Sequence, residues 1–288
     1  MKNLTKIAAF VFISAFLFSA CEKEGQYLPK KKITRIEYST TTSSKDGKDI
    51  STLSEVQDWV WNGKLLQTIT YKDGSGNQTG KLGIVYDSKK RISQLQYSTS
   101  SYTEIYNFFY DGKELKKIVV GDDEYTFTRT DGNIVEINVG TALSSEKNDA
   151  GTSFNPLQFV LPAEVANVIK ASAAKGASVY KLTWDGKNIS HCQAVSNGVV
   201  AAKYSWKYDE YINPFRGLFG YSSLTDMSEL YSANNVVESV TEIPTLSYQS
   251  SQQYSYEYDG KFPVKQVWVT SSTFGLLETT HTNTFFYN

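Results

Sequence analysis

Residues 203–209 read Lys-Tyr-Ser-Trp-Lys-Tyr-Asp. Successive side chains of a strand point to opposite faces, so Tyr204, Trp206 and Tyr208 share one face and Lys203, Ser205 and Lys207 the other. Tyr254, Tyr256 and Tyr258 repeat the pattern against Ser255 and Glu257, and Tyr106, Phe108 and Tyr110 form a third stripe. One apolar and one polar face is the mark of antiparallel strands with a packed side and a wet side.

The stripe ends on a motif. An aromatic residue followed by Asp or Asn, often then Gly, closes each such run: Trp61-Asn62-Gly63, Tyr86-Asp87, Tyr110-Asp111-Gly112, Trp184-Asp185-Gly186, Tyr208-Asp209 and Tyr258-Asp259-Gly260. Thr130-Asp131-Gly132 is a variant, and Tyr287-Asn288 ends the chain. Spacings of 24 or 25 residues recur, from Trp61 to Tyr86, Tyr86 to Tyr110 and Trp184 to Tyr208. A fixed period signals a repeat architecture. Asp-Gly between alternating runs is a hairpin signal, because both residues tolerate the positive φ of a tight turn. The expected fold is mainly β: a curved antiparallel meander of hairpins over residues 33–288, with a β-sandwich as the alternative. One helix interrupts it. Pro162–Lys175 is rich in helix formers, opens on Pro, stops before Gly176 and places Val165, Val168 and Ile169 at helical spacing.

The N-terminus has a different layout. Lys2 and Lys6 precede an apolar run from Ile7 to Phe18 broken only by Ser14. That run is too short to cross roughly 30 Å of hydrocarbon at about 1.5 Å per residue. Small residues Ser19 and Ala20 lead to Cys21, so the stretch has the plan of a cleavable export signal. Phe18-Ser19-Ala20-Cys21 resembles a bacterial lipoprotein signal, with Phe18 where Leu is usual. The resemblance implies residues 1–20 as a signal peptide, lipid on Cys21 and residues 21–32 as a lipidated tether. A multiply acylated cysteine anchors stably where a single chain would not.

Together these features resemble a family of uncharacterised secreted lipoproteins from Bacteroidetes-type bacteria, whose bodies carry degenerate tyrosine-aspartate (YD, Rhs-like) hairpin repeats. The likeness rests on Cys21, the aromatic-Asp-Gly turns, Tyr208-Asp209 with Asn213-Pro214-Phe215, Asn234-Asn235, and Tyr258-Asp259-Gly260 with Pro263. It implies an outer membrane lipoprotein of the cell envelope and no particular activity. Glu22 and Glu24 loosely resemble the acidic tag that sends such proteins to the cell surface; a solvated linker reads equally well.

Composition narrows the chemistry. The chain has 288 residues, a net charge of −1, two His and two Cys. No basic stripe suggests nucleic acid. His191 and His281 are too few for a three-His zinc site, and no cofactor or metal is expected. His191 beside Cys192 suggests a nucleophile and base, but neighbours on a strand face apart. Gly74-Ser75-Gly76 with Gly80 misses the dinucleotide spacing. Asp73–Asn77 has the start of a calcium loop, with Ile84 where its bidentate Glu belongs. Asp122-Asp123-Glu124 reads as an acidic hairpin tip. Without a catalytic motif, the expectation is a non-catalytic envelope protein binding a glycan or a protein partner. An envelope hydrolase using carboxylates and a passive structural component are the alternatives. Aromatics of the irregular stretch after Tyr208, namely Phe215, Phe219 and Tyr221, are the candidate ligand-binding residues, since loops carry recognition.

Overall fold

The computed structural model describes residues 25–44, 49–141, 178–218, 232–271 and 277–288. Strands β1 (Ile33–Ser44), β2 (Asp49–Asn62), β3 (Leu65–Asp73), β4 (Gln78–Tyr86), β5 (Ile92–Ser98), β6 (Thr103–Asp111), β7 (Glu114–Val120), β8 (Asp123–Thr130) and β9 (Asn133–Thr141) run up and down in order. Then come β10 (Ser178–Asp185), β11 (Asn188–Ser196), β12 (Val199–Tyr208), β13 (Val236–Ile243), β14 (Tyr248–Gln253), β15 (Ser255–Asp259), β16 (Phe262–Ser271) and β17 (Leu277–Tyr287). β14 and β15 flank Tyr254 and behave as one bent strand: the first pairs back to β13, the second forward to β16.

The expected hairpins are present, but the open meander and the sandwich are both replaced by one nearly closed barrel. β17 pairs with β16 on one side and with β1 on the other, which joins the ends of a single 17-stranded sheet. The expected helix over 162–175 lies outside the described residues.

The closure follows from the repeat. Each hairpin of the aromatic-Asp-Gly rim skips one residue just past its turn. Val60 faces Thr68, yet Trp61 faces Leu66, so Gln67 bulges out. The same step sets Tyr86 opposite Ile92, Tyr110 opposite Leu115, Arg129 opposite Ile134, Trp184 opposite Ile189, and Tyr258 opposite Pro263. Tyr208 opposite Val236 and Tyr287 opposite Ile33 repeat it across longer gaps in the chain. A bulge bends its strand and raises the local twist, so repeating it along one rim curls the sheet. Closure also removes the edges at which a flat sheet would aggregate.

The aromatic of each motif has a second task. It donates to the backbone carbonyl of the residue that follows the previous turn. Trp61 Nε1 reaches Ile33 O at 2.7 Å, Tyr86 Oη reaches Leu66 O at 2.7 Å, and Tyr110 Oη reaches Ile92 O at 2.7 Å. Trp184 Nε1 reaches Ile134 O at 2.7 Å, Tyr208 Oη reaches Ile189 O, and Tyr287 Oη reaches Pro263 O at 2.7 Å. Tyr256 serves Val236 O at 2.8 Å, because Tyr258 turns instead to Asp209. These contacts fasten each hairpin to its neighbour and satisfy polar atoms in a buried layer. Ile33, Leu66, Ile92 and Ile189 are fully buried.

The inner wall carries the core. One cluster gathers Trp59, Ile69, Leu82, Leu95, Phe108 and Phe285; a second gathers Ile137, Leu182, Cys192, Tyr204 and Trp206. The outer wall carries charged pairs: Asp58 with Arg35 and Lys72 at 2.8 Å, Lys207 with Glu238 at 3.0 Å, and Lys265 with Glu257 at 2.8 Å. Exposed Val60, Val85, Phe109 and Phe286 also stand on this wall. A barrel that crosses a bilayer usually has a polar lining inside; here the lining is apolar and aromatic.

Candidate functional site

The two rims of the barrel differ. The aromatic-Asp-Gly turns form one rim, and two segments seal it. Ile92 N donates to Gly25 O at 2.8 Å, and Gln26 Nε2 donates to Lys89 O at 2.9 Å. Tyr27 is fully buried against Trp59 and Trp61, with Oη on Pro214 O at 2.8 Å. Residues 25–32, expected as a tether, are therefore packed on the barrel. The second segment runs through Pro214, Phe215 and Leu218. Asn213 braces it by donating to Ser232 O at 3.0 Å and accepting from Phe215 N at 2.9 Å. Asp209 accepts from Tyr211 N at 2.9 Å and from Tyr258 Oη. A small cavity behind Phe215, bounded by Asn235, Tyr256, Gln266 and Phe285, has room for about one water.

Phe215 therefore seals the rim. Its ring lies 6.4 Å from Trp59 and 5.9 Å from Phe285, and it is buried. Pro214 opens a turn over residues 214–217, and the barrel interior offers Phe215 an apolar slot. Phe219 and Tyr221, like Cys21, lie outside the described residues.

Toward the opposite rim the described inner wall is less buried. On β17, His281, Asn283, Phe285 and Tyr287 alternate onto the inner face; Asn283 joins Gln266, which joins Tyr256. His281 is nearest the opposite rim and stacks on Trp268 of β16 at 4.9 Å and 10°. Tyr38 of β1 lies near-parallel to both, 6.0 Å from His281 and 6.1 Å from Trp268. Tyr38 Oη meets His281 Nδ1 at 2.7 Å, and Thr270 Oγ1 meets Nε2 at 2.8 Å. Tyr254 closes the group 6.1 Å from Trp268. These rings are only half-buried.

A second aromatic group stands further round the wall. Tyr97 meets Tyr71 edge-on at 5.7 Å and Tyr102 at 6.1 Å, and Gly80 leaves the space its hydroxyl occupies. Glu55 lies between the groups. It accepts from Gln57 Nε2 at 2.8 Å, and its charge reaches both Tyr38 and Tyr97. Burial pushes both phenols up, and Glu55 adds to the shift of each; Tyr102 and Glu104 also raise Tyr97. Glu104 accepts from Tyr106 Oη at 2.6 Å. Partial burial pulls His281 below its ordinary value and favours the neutral ring. The inner wall near this rim is thus a polar-edged aromatic surface.

The remaining sequence candidates fall where their chemistry predicts. Cys192 is buried inside and His191 exposed outside, so the pair does not meet. Asp73 spends its carboxylate on Ser75 N and Asn77 N, both at 2.9 Å, which makes a capped turn. Among the described residues, no three His, Cys, Asp or Glu side chains gather to hold a metal. Tyr38, Glu55, Trp268 and His281 were not singled out from sequence. Their alternation is visible in each strand, but β1 and β17 are too far apart in the chain for the grouping to show.

No protein family model matches the chain, and no curated protein sequence matches it. Among solved structures, a porin-like protein from Bacteroides uniformis is similar in fold, with 10% identity, 89% of this chain and 98% of that one covered, and a TM-score of 0.50. A porin-like protein from Bacteroides vulgatus matches over 90% of this chain and 99% of its own at 8% identity and a TM-score of 0.41. A LolA superfamily protein from Nitrosomonas europaea matches over 91% and 89% at 6% identity and 0.28. The last two superpose too loosely to support a shared fold.

Proposed function

We propose that this chain is a lipid-anchored protein of the bacterial cell envelope, held to the outer membrane through Cys21, that binds a glycan without transforming it. The observation that carries the binding reading is the half-buried group of near-parallel rings at Tyr38, His281 and Trp268, beside Glu55. Flat aromatic faces stack on the C–H face of a pyranose, and carboxylates and amides at their edges accept its hydroxyls. A ligand site of this kind needs an apolar surface with a few placed polar groups, which Glu55, Thr270 and His281 supply. Lipid on Cys21 is supported by the signal-like layout of residues 2–21.

A glycan array with the purified protein tests the binding reading. Retention of a defined oligosaccharide is expected, and Trp268→Ala should weaken it by about tenfold, as loss of roughly 1.4 kcal/mol of stacking would. An array with no retained sugar overturns the proposal. Release of shortened sugar over time would show a hydrolase instead. For the anchor, Cys21→Ala should move the protein from the membrane to the soluble fraction; persistent membrane association would refute it.

A further inference from the structure

We propose that the sealed rim of the barrel is a membrane-facing surface whose lysines engage anionic lipid headgroups. The inference rests on the reading of Cys21 as the anchor. It starts from the repeat. In four turns the glycine takes nearly the same left-handed conformation, with φ of 55° at Gly63, 58° at Gly112, 58° at Gly186 and 61° at Gly260. A lysine follows each of them: Lys64, Lys113, Lys187 and Lys261. Equal turns deliver equal side chains, so the repeat sets these lysines around one rim. Lys89 in the Asp87–Arg91 turn and Lys30 in the N-terminal segment join them. All six are exposed.

The acidic residues of this rim are partly committed. Arg91 holds Asp87 at 2.7 Å, Lys31 holds Asp259 at 2.6 Å, and Asp209 is taken up by Tyr211, Asn235 and Tyr258. Asp111, Asp131, Asp185 and Glu210 stay exposed, fewer than the six lysines beside them. Among the described residues of the opposite rim, the turns hold Asp122 and no lysine or arginine.

The chain's entry point sets the direction in which the lysine-bearing rim faces. Gly25 is hydrogen-bonded to the lysine-bearing rim, and only Glu22, Lys23 and Glu24 separate it from Cys21. Four extended steps span at most about 14 Å. Lipid on Cys21 therefore brings this rim close to the bilayer, within a distance comparable with the screening length of roughly 8 Å at physiological salt. Basic groups that close to an anionic leaflet are attracted to it. The aromatic wall then lies toward the opposite rim, away from the membrane.

The test uses the full lipidated protein in vesicles of phosphatidylcholine, with or without phosphatidylglycerol. A membrane-impermeant amine reagent is read by peptide mass spectrometry. Lys64, Lys113, Lys187 and Lys261 should be protected by about fivefold relative to the wall lysines Lys181 and Lys203 when phosphatidylglycerol is present. High salt or neutral lipid should reduce that protection. Combined Lys64→Glu, Lys113→Glu and Lys187→Glu should abolish protection at Lys261 while the thermal midpoint holds. Equal labelling of rim and wall in anionic vesicles overturns the proposal. Intact mass reports lipid on Cys21 separately, so an unlipidated protein refutes the anchor alone. The unlipidated chain would then be pelleted with the same vesicles, and equal binding to neutral and anionic lipid would refute the lysine surface.

Discussion

At the scale of single residues, the repeated aromatic is a fastening as well as a core side chain. Tyr86 is half-buried, and burial pushes its phenol up to about 12. Its hydroxyl serves a carbonyl twenty residues earlier in the chain. Tyr86→Phe keeps the ring and removes that bond, so urea unfolding should show a loss of about 1–2 kcal/mol. An unchanged midpoint would mean that the bond contributes nothing. His281 makes a pH prediction. Its depressed value means the unfolded chain binds a proton more readily than the folded one. Stability should be full above the ordinary His value of about 6.5 and fall as pH drops below it. Comparing the thermal midpoint of the protein with that of His281→Gln between about pH 5 and pH 8 checks this. The variant should lose the slope; identical slopes would assign it to other groups.

At the scale of elements, each turn was readable because its signal is local. Asp-Gly and Asn-Gly select a tight turn within a few residues, and the strand face follows from alternation on either side. What the turns fasten to was hidden, because the acceptor of each aromatic belongs to the preceding hairpin. The N-terminal segment shows the opposite failure. Its charge and Pro29 read as solvated linker, but one apolar ring, Tyr27, fits the slot between Trp59, Trp61 and Pro214. Tyr27→Ala should leave that slot empty and cost about 3 kcal/mol by chemical denaturation. A loss below about 1 kcal/mol would show that the slot collapses without strain.

At the scale of the molecule, the chain closes a ring by treating its own ends as one more repeat. Asn288 N donates to Lys32 O at 3.0 Å, and Tyr287 faces Ile33 across the same bulge that follows the aromatic-Asp-Gly turns. The result is a barrel with an aromatic interior and charged pairs on its outer wall. Its two rims divide the work proposed for it, one toward the anchor and one toward the ligand.

By itself the sequence determined the β class, the positions of the hairpins, the wet and dry face of each strand, and the export-like N-terminus. Those depend on residue spacing and turn chemistry, which act over a few residues. Only the tertiary structure decided that the sheet closes, that Phe215 and Tyr27 seal one rim, and that Tyr38, Trp268 and His281 share a wall. Those depend on the accumulated bend of many bulges and on pairing between strands from opposite ends of the chain. No local pattern encodes that sum.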